Sequence, residues 1–596
     1  MWNDQQYPLH SIANHLSPGW TPWVGAGLRR PGTAGAHGTM TGVIVALAPA
    51  GPSWQVQTLA GDGSPLAEPE LVKTADALRR WESDGTRWVW DTTEPIYAPL
   101  LAAGFTPSRC HDVSLTEKIL LGRAGRHGEP SSAAAVHARR HSLPVPPDRV
   151  GEPTVGATAR HPALFESGPG ADAVDPLTAV REAYADQVRR TGSNNPLKLL
   201  LAAESAAALA AVEMGLIGLP LRADVLDRIL TGALGPRPPT GARPERLTAL
   251  AAQIVEAFGS PVNPDSAADL RAAYQRAGFE IENTRSWVIR EIDHPATAPV
   301  LAYKELSRLW TANGWSWLAE WVRDGRFHAG YLPGGVVSGR WAARGGGALQ
   351  IPKLVRQAVI AEPGRTFVVA DAAQLEPRVL AAISRDPLLA RFSQQNDLYT
   401  ALADDGFGGD RAHAKMAMLG AMYGATSGEA GRLLPTLRRR YPVAMACVED
   451  AARQGELGGV VASVLGRTSP RPGPDWWDLL QAGSLPDATP AQERRARQIA
   501  RDRGRFTRNF VVQGSAADWA GVWLSGLRRD LRSVPGAELV FFQHDELVVH
   551  CPVESAQEVA SLTVAAAESA RDLVFPGSKV ATPVRPVLVD CYADAK

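Results

Sequence analysis

The chain has 596 residues, too long for one hydrophobic core, so roughly three to four domains are expected. Apolar side chains at 45% and charged ones at 21% exclude disordered and fibrous classes. The 62 basic residues balance 62 acidic ones, so any nucleic-acid contact must use a local basic stripe and not a basic protein as a whole.

Cys110, Cys447, Cys551 and Cys591 form no Cys-x-x-Cys pair and read as reduced thiols. No apolar run approaches the ~20 residues of a membrane span. The start, MWNDQQYPLHSIANHL, lacks the basic and apolar regions of a signal peptide. A soluble cytoplasmic enzyme is the expectation.

Residues 1–39 are rich in Gly, Pro and Trp without periodicity and read as a poorly ordered extension. Met40, just before a strand pattern, is an alternative start. GVIVALAP from residue 42 and TRWVWDT around Trp88 predict buried strands, and EPIYAPLLAAG predicts a helix ending at Gly104. Gly-, Pro-, Ala-, Arg- and Ser-rich sequence from about 124 to 178 predicts a linker or mobile insertion. Helical spacing then runs from Pro196 to about Ala277 and recurs in APVLAYKELSRLWTANG. From Arg326 onward short strands, Gly-rich turns and long helices alternate.

Two acids in this last region sit at the end or turn of apolar strands. Asp371 follows FVVA and precedes a helical pattern. Asp545 lies in ELVFFQHDELVVHC, at the tip of a predicted hairpin. Carboxylates so displayed suit oxygen-ligated Mg²⁺, and two of them suit a two-ion phosphoryl transfer. Either acid alone reads more readily as a cap or turn residue.

The surrounding motifs alter that balance. DAAQLEPR at 371–378 resembles motif A of the polymerase-I-like family A DNA polymerases. Arg411-x-x-x-Lys415-x-x-x-Leu419-Gly420-x-x-Tyr423-Gly424 resembles their motif B, and QHDE at 543–546 their motif C. Ser338-Gly339-Arg340 with LQIP at 349–352, Leu465-Gly466-Arg467, QGSAAD at 513–518 and YKELSRL at 303–309 resemble further family segments. Order and spacing agree over roughly residues 215–596.

The resemblance implies a multidomain α/β (α+β) protein, a right hand of palm, fingers and thumb on an N-terminal ribonuclease-H-like, exonuclease-type domain. Its expected divisions are the extension 1–39, an exonuclease-like domain 40–222 and a thumb 223–325. The palm would fall at 326–394 and 501–596, and the fingers at 395–500. The implied activity is DNA-directed addition of dNTPs to a primer 3′-OH, in repair or replication gap filling. Primer-template DNA and dNTPs would be its partners, in a monomer without membrane attachment, associated with the nucleoid.

Asp371 and Asp545 would hold two Mg²⁺ ions, with Mn²⁺ as a substitute. Glu546 would assist them, and Lys415 would act as general acid toward pyrophosphate. On a helix Arg411, Lys415 and Leu419 share one face, and its two cations suit a triphosphate. Leu419 and Tyr423 would meet the base, Glu376 would crowd the ribose 2′ position, and Gln374 and Tyr399 would complete the dNTP site. Arg340, Gln350, Gln513, His544 and Arg467 would contact primer or template. This chain departs from the family in Leu419, usually aromatic, in Tyr399, commonly His, and in Ala372, Ala373 and Pro377. These changes put substrate-side packing in question and leave the metal acids intact.

A proofreading exonuclease of this family needs acids at the end of its first strand, after its second, and in a Tyr-x-x-x-Asp. Here the first strand offers Ala46-Leu47-Ala48. Asp91 and Glu94 are out of register. Asp112 resembles a segment that carries no metal ligand, and Leu200-x-x-x-Glu204 lacks the Tyr. A scaffold without exonuclease activity is expected, with no room for a preceding 5′-nuclease domain. A bifunctional exonuclease–polymerase and a non-catalytic DNA-binding protein with a decayed polymerase fold are the alternatives.

Overall fold

The structure, a computed structural model, describes residues 42–148, 174–344, 351–424 and 428–595. The extension 1–39, residues 149–173 of the expected insertion, and Gln350 lie outside the described residues.

The first layer is a five-stranded sheet. Its strands are β1 (Ile44–Ala50), β2 (Ser53–Leu59), β3 (Glu70–Val72), β4 (Arg87–Trp90) and β5 (Arg109–Asp112), in the order β3-β2-β1-β4-β5. β2 runs antiparallel to both neighbours, whereas β1, β4 and β5 are parallel. Both faces are buried, which explains why β1 reads as a continuous apolar run. Helices α1 (Thr93–Ala102) and α2 (Val113–Arg123) flank the parallel strands. Val45, Leu47, Trp88 and Trp90 face α1 and a later helix, while Ala46, Ala48 and Val89 face the other way.

That second face is covered by α3 (Ala133–Arg140) and α4 (Pro176–Thr191). Both helices use residues of the stretch whose composition predicts a linker. Ser132 caps α3 by accepting from the Ala135 N–H, and Ala133 and Val136 bury against the sheet. Small residues bury well on a sheet and yet look like low complexity in a sequence.

Helix α5 (Asn195–Ile217) is long and apolar enough, by length and composition, to cross a membrane, contrary to the sequence expectation. Its most apolar window is 72% buried. It packs on α1 and β5 on one side and on C-terminal elements described below on the other. It is a core helix.

A helical group follows: α6 (Ala223–Leu234), α7 (Glu245–Phe258), α8 (Ala267–Arg276), α9 (Ser286–Arg290) and α10 (Thr297–Asn313). Leu226, Leu230 and Leu234 recur every fourth residue and are fully buried with Leu247, Ile254 and Tyr274. Then come α11 (Trp315–Trp321), a small sheet of β6 (Leu219–Pro220), β7 (Val322–Arg323) and β8 (Arg326–Phe327), a ribbon of β9 (Gly330–Leu332) and β10 (Ala342–Arg344), and α12 (Lys353–Arg356).

The second large sheet is antiparallel throughout. It orders β12 (Glu538–Gln543), β13 (Glu546–Pro552), β11 (Arg365–Ala372) and β14 (Val584–Val589) as β12-β13-β11-β14. Between β11 and β12 lie α13 (Leu375–Ser384), α14 (Pro387–Phe392), α15 (Leu398–Gly406), α16 (Arg411–Tyr423), α17 (Gly428–Arg440), α18 (Pro442–Glu456), α19 (Pro474–Ala482) and α20 (Pro490–Leu531). Helix α21 (Ala556–Val574) connects β13 to β14.

Helix α20 is 42 residues long and opens with a capping box between Thr489 and Gln492. It packs on α18, α21 and α5. The boundary expected at residue 500 therefore falls inside one continuous helix. That division was implied by the family resemblance and not by any break signal in the sequence.

Candidate active site

Asp371 is the penultimate residue of β11, directly opposite Glu546 on β13. Opposed residues of an antiparallel pair share a face, so Asp371 is displayed beside the β12–β13 turn. That turn consists of His544 and Asp545, with His544 in the left-handed region at φ 56°. The Ala372 N–H donates to the Asp545 carbonyl at 2.8 Å. This bond ties the end of β11 to the turn and brings the two acids together on adjoining strand ends. Behind them Val368, Val369, Ala370, Leu547 and Val548 are buried, whereas Asp371 and Asp545 are half-buried. Both offer only oxygen, the donor type that hard divalent cations take.

Glu546 is fixed differently. It is 3% exposed, accepts from the Tyr592 hydroxyl and lies 3.5 Å from the Arg356 guanidinium. Arg356 in turn stacks 4.2 Å from the Tyr592 ring centre. Glu546 thus anchors the hairpin to the C-terminal segment, and the sequence contains no signal for Tyr592 or Arg356 as its partners.

Helix α16 begins at Asp410, whose side chain accepts from the Ala412 and His413 N–H groups. Ala414, Ala417, Met418, Ala421 and Met422 form its buried face at three- and four-residue spacing. The opposite face carries Arg411, Lys415, Leu419 and Tyr423, the set that the spacing predicted. Arg411 and Lys415 are exposed, Leu419 is half-buried and Tyr423 is exposed at the helix end.

Arg411 Nε donates to Asp397 Oδ2 at 2.7 Å, and its guanidinium lies 5.7 Å from the Tyr399 ring centre. Asp397 also caps α15 by accepting from the Tyr399 and Thr400 N–H groups. Gln374, in a left-handed conformation, donates to Asp397 at 2.8 Å and accepts from the Leu398 N–H at 2.8 Å. Asp397 thereby joins Gln374 to Arg411. Its one sequence signal is the N-cap position in NDLYT. Tyr399 is 5% exposed, and burial followed by the Glu376 charge raises its hydroxyl pKa.

Glu376 centres a second cluster. One of its oxygens pairs with Arg340, and the other accepts from the Tyr423 hydroxyl at 2.6 Å. Burial and then Glu376 push the Tyr423 hydroxyl up to about 12, with the Gln513 amide acting in the opposite direction. Burial and then Arg340 hold the His544 imidazole below its ordinary range. Arg340, Glu376, Tyr423, Gln513 and His544, separate in sequence, therefore form one charged and hydrogen-bonded group beside the acids.

The family model for DNA polymerase family A matches residues 242–584, more than half of the chain. The chain belongs to DNA polymerase family A. It is 28% identical over 377 residues to DNA polymerase I of Chloroflexus aurantiacus, covering 56% of this chain and 38% of that one. It is 26% identical over 372 residues to the thermostable DNA polymerase I of Thermus aquaticus, covering 56% and 42%. The match thus spans less than half the length of either relative. The POL domain of Pol1 from M. smegmatis, in complex with DNA primer-template and dNTP, shares the fold at a TM-score of 0.66 and 17% identity, over 92% of this chain and 95% of that one.

In this family A chain Arg467, expected at primer or template, is 9% exposed and pairs with Glu204 of α5 at 2.7 Å, with Asp518 of α20 at 4.0 Å. Its role is to join α5 to α20 through the turn at 463–467. Glu204, compared above with an exonuclease position, is the other half of that pair. Helix α5 packs its Leu209 and Val212 on the Val45–Leu47 face of the first sheet, away from Ala46 and Ala48.

The acids of the N-terminal domain also have structural partners. Asp112 accepts from the Thr93 N–H and hydroxyl and from the Leu115 N–H, and burial raises its pKa to about 6. Asp91 accepts from the Ala133 N–H at 2.7 Å, and Glu117 pairs with Arg139 and Arg190.

Proposed function

We propose that the chain is a DNA-directed DNA polymerase that extends a primer 3′-OH with dNTPs. The observation that carries this reading is the pairing of Asp371 and Asp545 at adjoining strand ends, held by the Ala372–Asp545 bond. Two Mg²⁺ ions, or Mn²⁺, held by these carboxylates would supply activation of the 3′-OH and charge neutralisation at the phosphates. Arg411 and Lys415 grip the triphosphate, and Lys415 donates a proton to the leaving pyrophosphate. Gln374 and Asp397 orient the Arg411 end of that grip. Leu419 and Tyr423 meet the base pair. Glu376, fixed by Arg340 and Tyr423, stands against a ribose 2′-OH. Arg340, Gln513 and His544 follow the primer terminus through the minor groove.

Primer-template DNA and dNTP, present in the Pol1 relative, are carried over to this chain as its partners. In the same reading, 223–325 is the thumb, 326–394 and 501–596 the palm, and 395–500 the fingers. The N-terminal domain is a ribonuclease-H-like scaffold without exonuclease chemistry, because Ala46 and Ala48 stand where acids are required. The chain would work as a monomer at the nucleoid, in gap filling.

Primer extension on a gapped template tests this. Wild type should extend with dNTPs and poorly with NTPs. Asp371→Ala or Asp545→Ala should lower extension by about 10³-fold or more, as expected when several kcal/mol of metal-borne charge stabilisation is lost. Undiminished extension by either variant sinks the assignment.

A further inference from the structure

Away from the acid pair, His137 and His141 lie four residues apart on and just after α3, so they share one face. Glu182 on α4 faces them. His137 Nδ1 is 2.8 Å and His141 Nε2 is 3.0 Å from the same oxygen, Glu182 Oε2. The two rings lie 4.3 Å apart, and all three ligand atoms fall within 4.8 Å of one another. Without a cation, that oxygen must take an N–H from each imidazole. If both protons are removed, both nitrogen lone pairs are aimed at the Glu182 carboxylate, and a cation takes the place between the three atoms once that oxygen draws back.

We infer that His137, His141 and Glu182 form a binding site for a late first-row divalent cation of the Zn²⁺ class. Tetrahedral zinc with bonds of about 2.0–2.2 Å requires ligand atoms roughly 3.3–3.5 Å apart. The two nitrogen–oxygen separations, 2.8 and 3.0 Å, fall a few tenths of an ångström short of that range, so small side-chain rotations that draw Glu182 back complete the site. Two imidazoles select Zn²⁺, Co²⁺ or Ni²⁺ over Mg²⁺, which separates this site chemically from the all-oxygen pair Asp371 and Asp545. Side-chain exposures of 16%, 47% and 25% leave room for water at a fourth position and a path for entry. Arg140, the nearest cation on α3, donates to the Glu182 main-chain carbonyl at 2.8 Å, so it competes little for the carboxylate. The ion would staple α3 to α4, the two helices that close the Ala46–Ala48 face of the first sheet.

The full chain, stripped with a chelator and kept in excess Mg²⁺, is titrated with Co²⁺ and then with Zn²⁺. One equivalent of Co²⁺ should give the visible d–d bands of tetrahedral coordination, and Zn²⁺ should displace it. His141→Ala and Glu182→Gln should each weaken binding by about 100-fold or more, since even an outer-shell change costs 10–100-fold. A chain carrying Asp371→Asn and Asp545→Asn should bind like wild type. Because His141 is half exposed, its variant should keep the metal-free melting curve of wild type, which separates lost binding from lost folding. Absence of a stoichiometric site in wild type, or equal Co²⁺ affinity in His141→Ala and Glu182→Gln, overturns the inference.

Discussion

The molecule contains two sheets on which a two-metal site could be built, and they resolve the same positions in opposite ways. In the antiparallel sheet, β11 and the β12–β13 turn end in Asp371 and Asp545, both half-buried. In the mixed sheet, strand β1 carries Ala46 and Ala48, both 0% exposed, packed with Leu177, Val180, Ala183 and Tyr184 of α4. The difference concerns more than the missing carboxylates. Where acids are retained, the strand ends stay open to solvent. Where they are absent, apolar helices have closed over the face, and alanine is what fits.

This comparison is broken most directly by putting the acids back. Ala46→Asp with Ala48→Glu should not create a nuclease. It should bury two carboxylates without partners beneath α4, costing on the order of 5 kcal/mol. Melting temperature and degradation of a mismatched primer without dNTPs are the measurements. A stable variant that degrades the primer means that the face opens readily and that the closure described above is wrong.

A smaller effect is expected where the two halves join. Arg467→Ala leaves Glu204 and Asp518 enclosed without their guanidinium, at a cost of about 3–4 kcal/mol. Arg467→Met with Glu204→Leu should recover most of that loss, because removing both charges removes the desolvation cost. Urea unfolding of the single and double variants gives the stability changes, and DNA affinity is measured beside it. Reduced DNA affinity at unchanged stability restores Arg467 to the primer-template surface.

The placement of Asp371 at a strand end and of Asp545 in a hairpin turn was legible because strand and turn signals stand clear in the sequence, and α16 because its two faces differ in composition. The ion pairs of Arg467 were not legible, for a definite reason. Leu465-Gly466-Arg467 specifies a turn but not the direction of the guanidinium, and its partner Glu204 lies 263 residues away. Asp397 was half legible as a helix cap, while its bonds to Gln374 and Arg411 depend on tertiary placement. The absence of acids in β1 was plain, but the helix covering them was not. Part of α3 and α4 was hidden in composition that resembled a linker, and Glu204 of α5 was compared with a site on the wrong face.

The mildest effect expected sharpens the same contrast through pH. Asp112 ends β5 and is 1% exposed, and burial outweighs its hydrogen bonds, raising its pKa from 3.8 to about 6. The folded protein therefore holds this proton to higher pH than the unfolded chain does. Its contribution is fully present below the unfolded value and is lost as pH rises through about 4 to 6, by on the order of 1–3 kcal/mol. Asp112→Asn keeps one acceptor oxygen, enough for Thr93 but not for Leu115 as well, and cannot ionise, so its constant loss of one bond is separated from the pH-dependent part. The stability of wild type relative to this variant should fall across that window, as read from urea midpoints at a series of pH values. Parallel pH profiles for the two proteins mean that Asp112 is ionised in the fold. The N-terminal sheet would then hold a buried charge after all, and its distinction from the palm would rest on Ala46 and Ala48 alone.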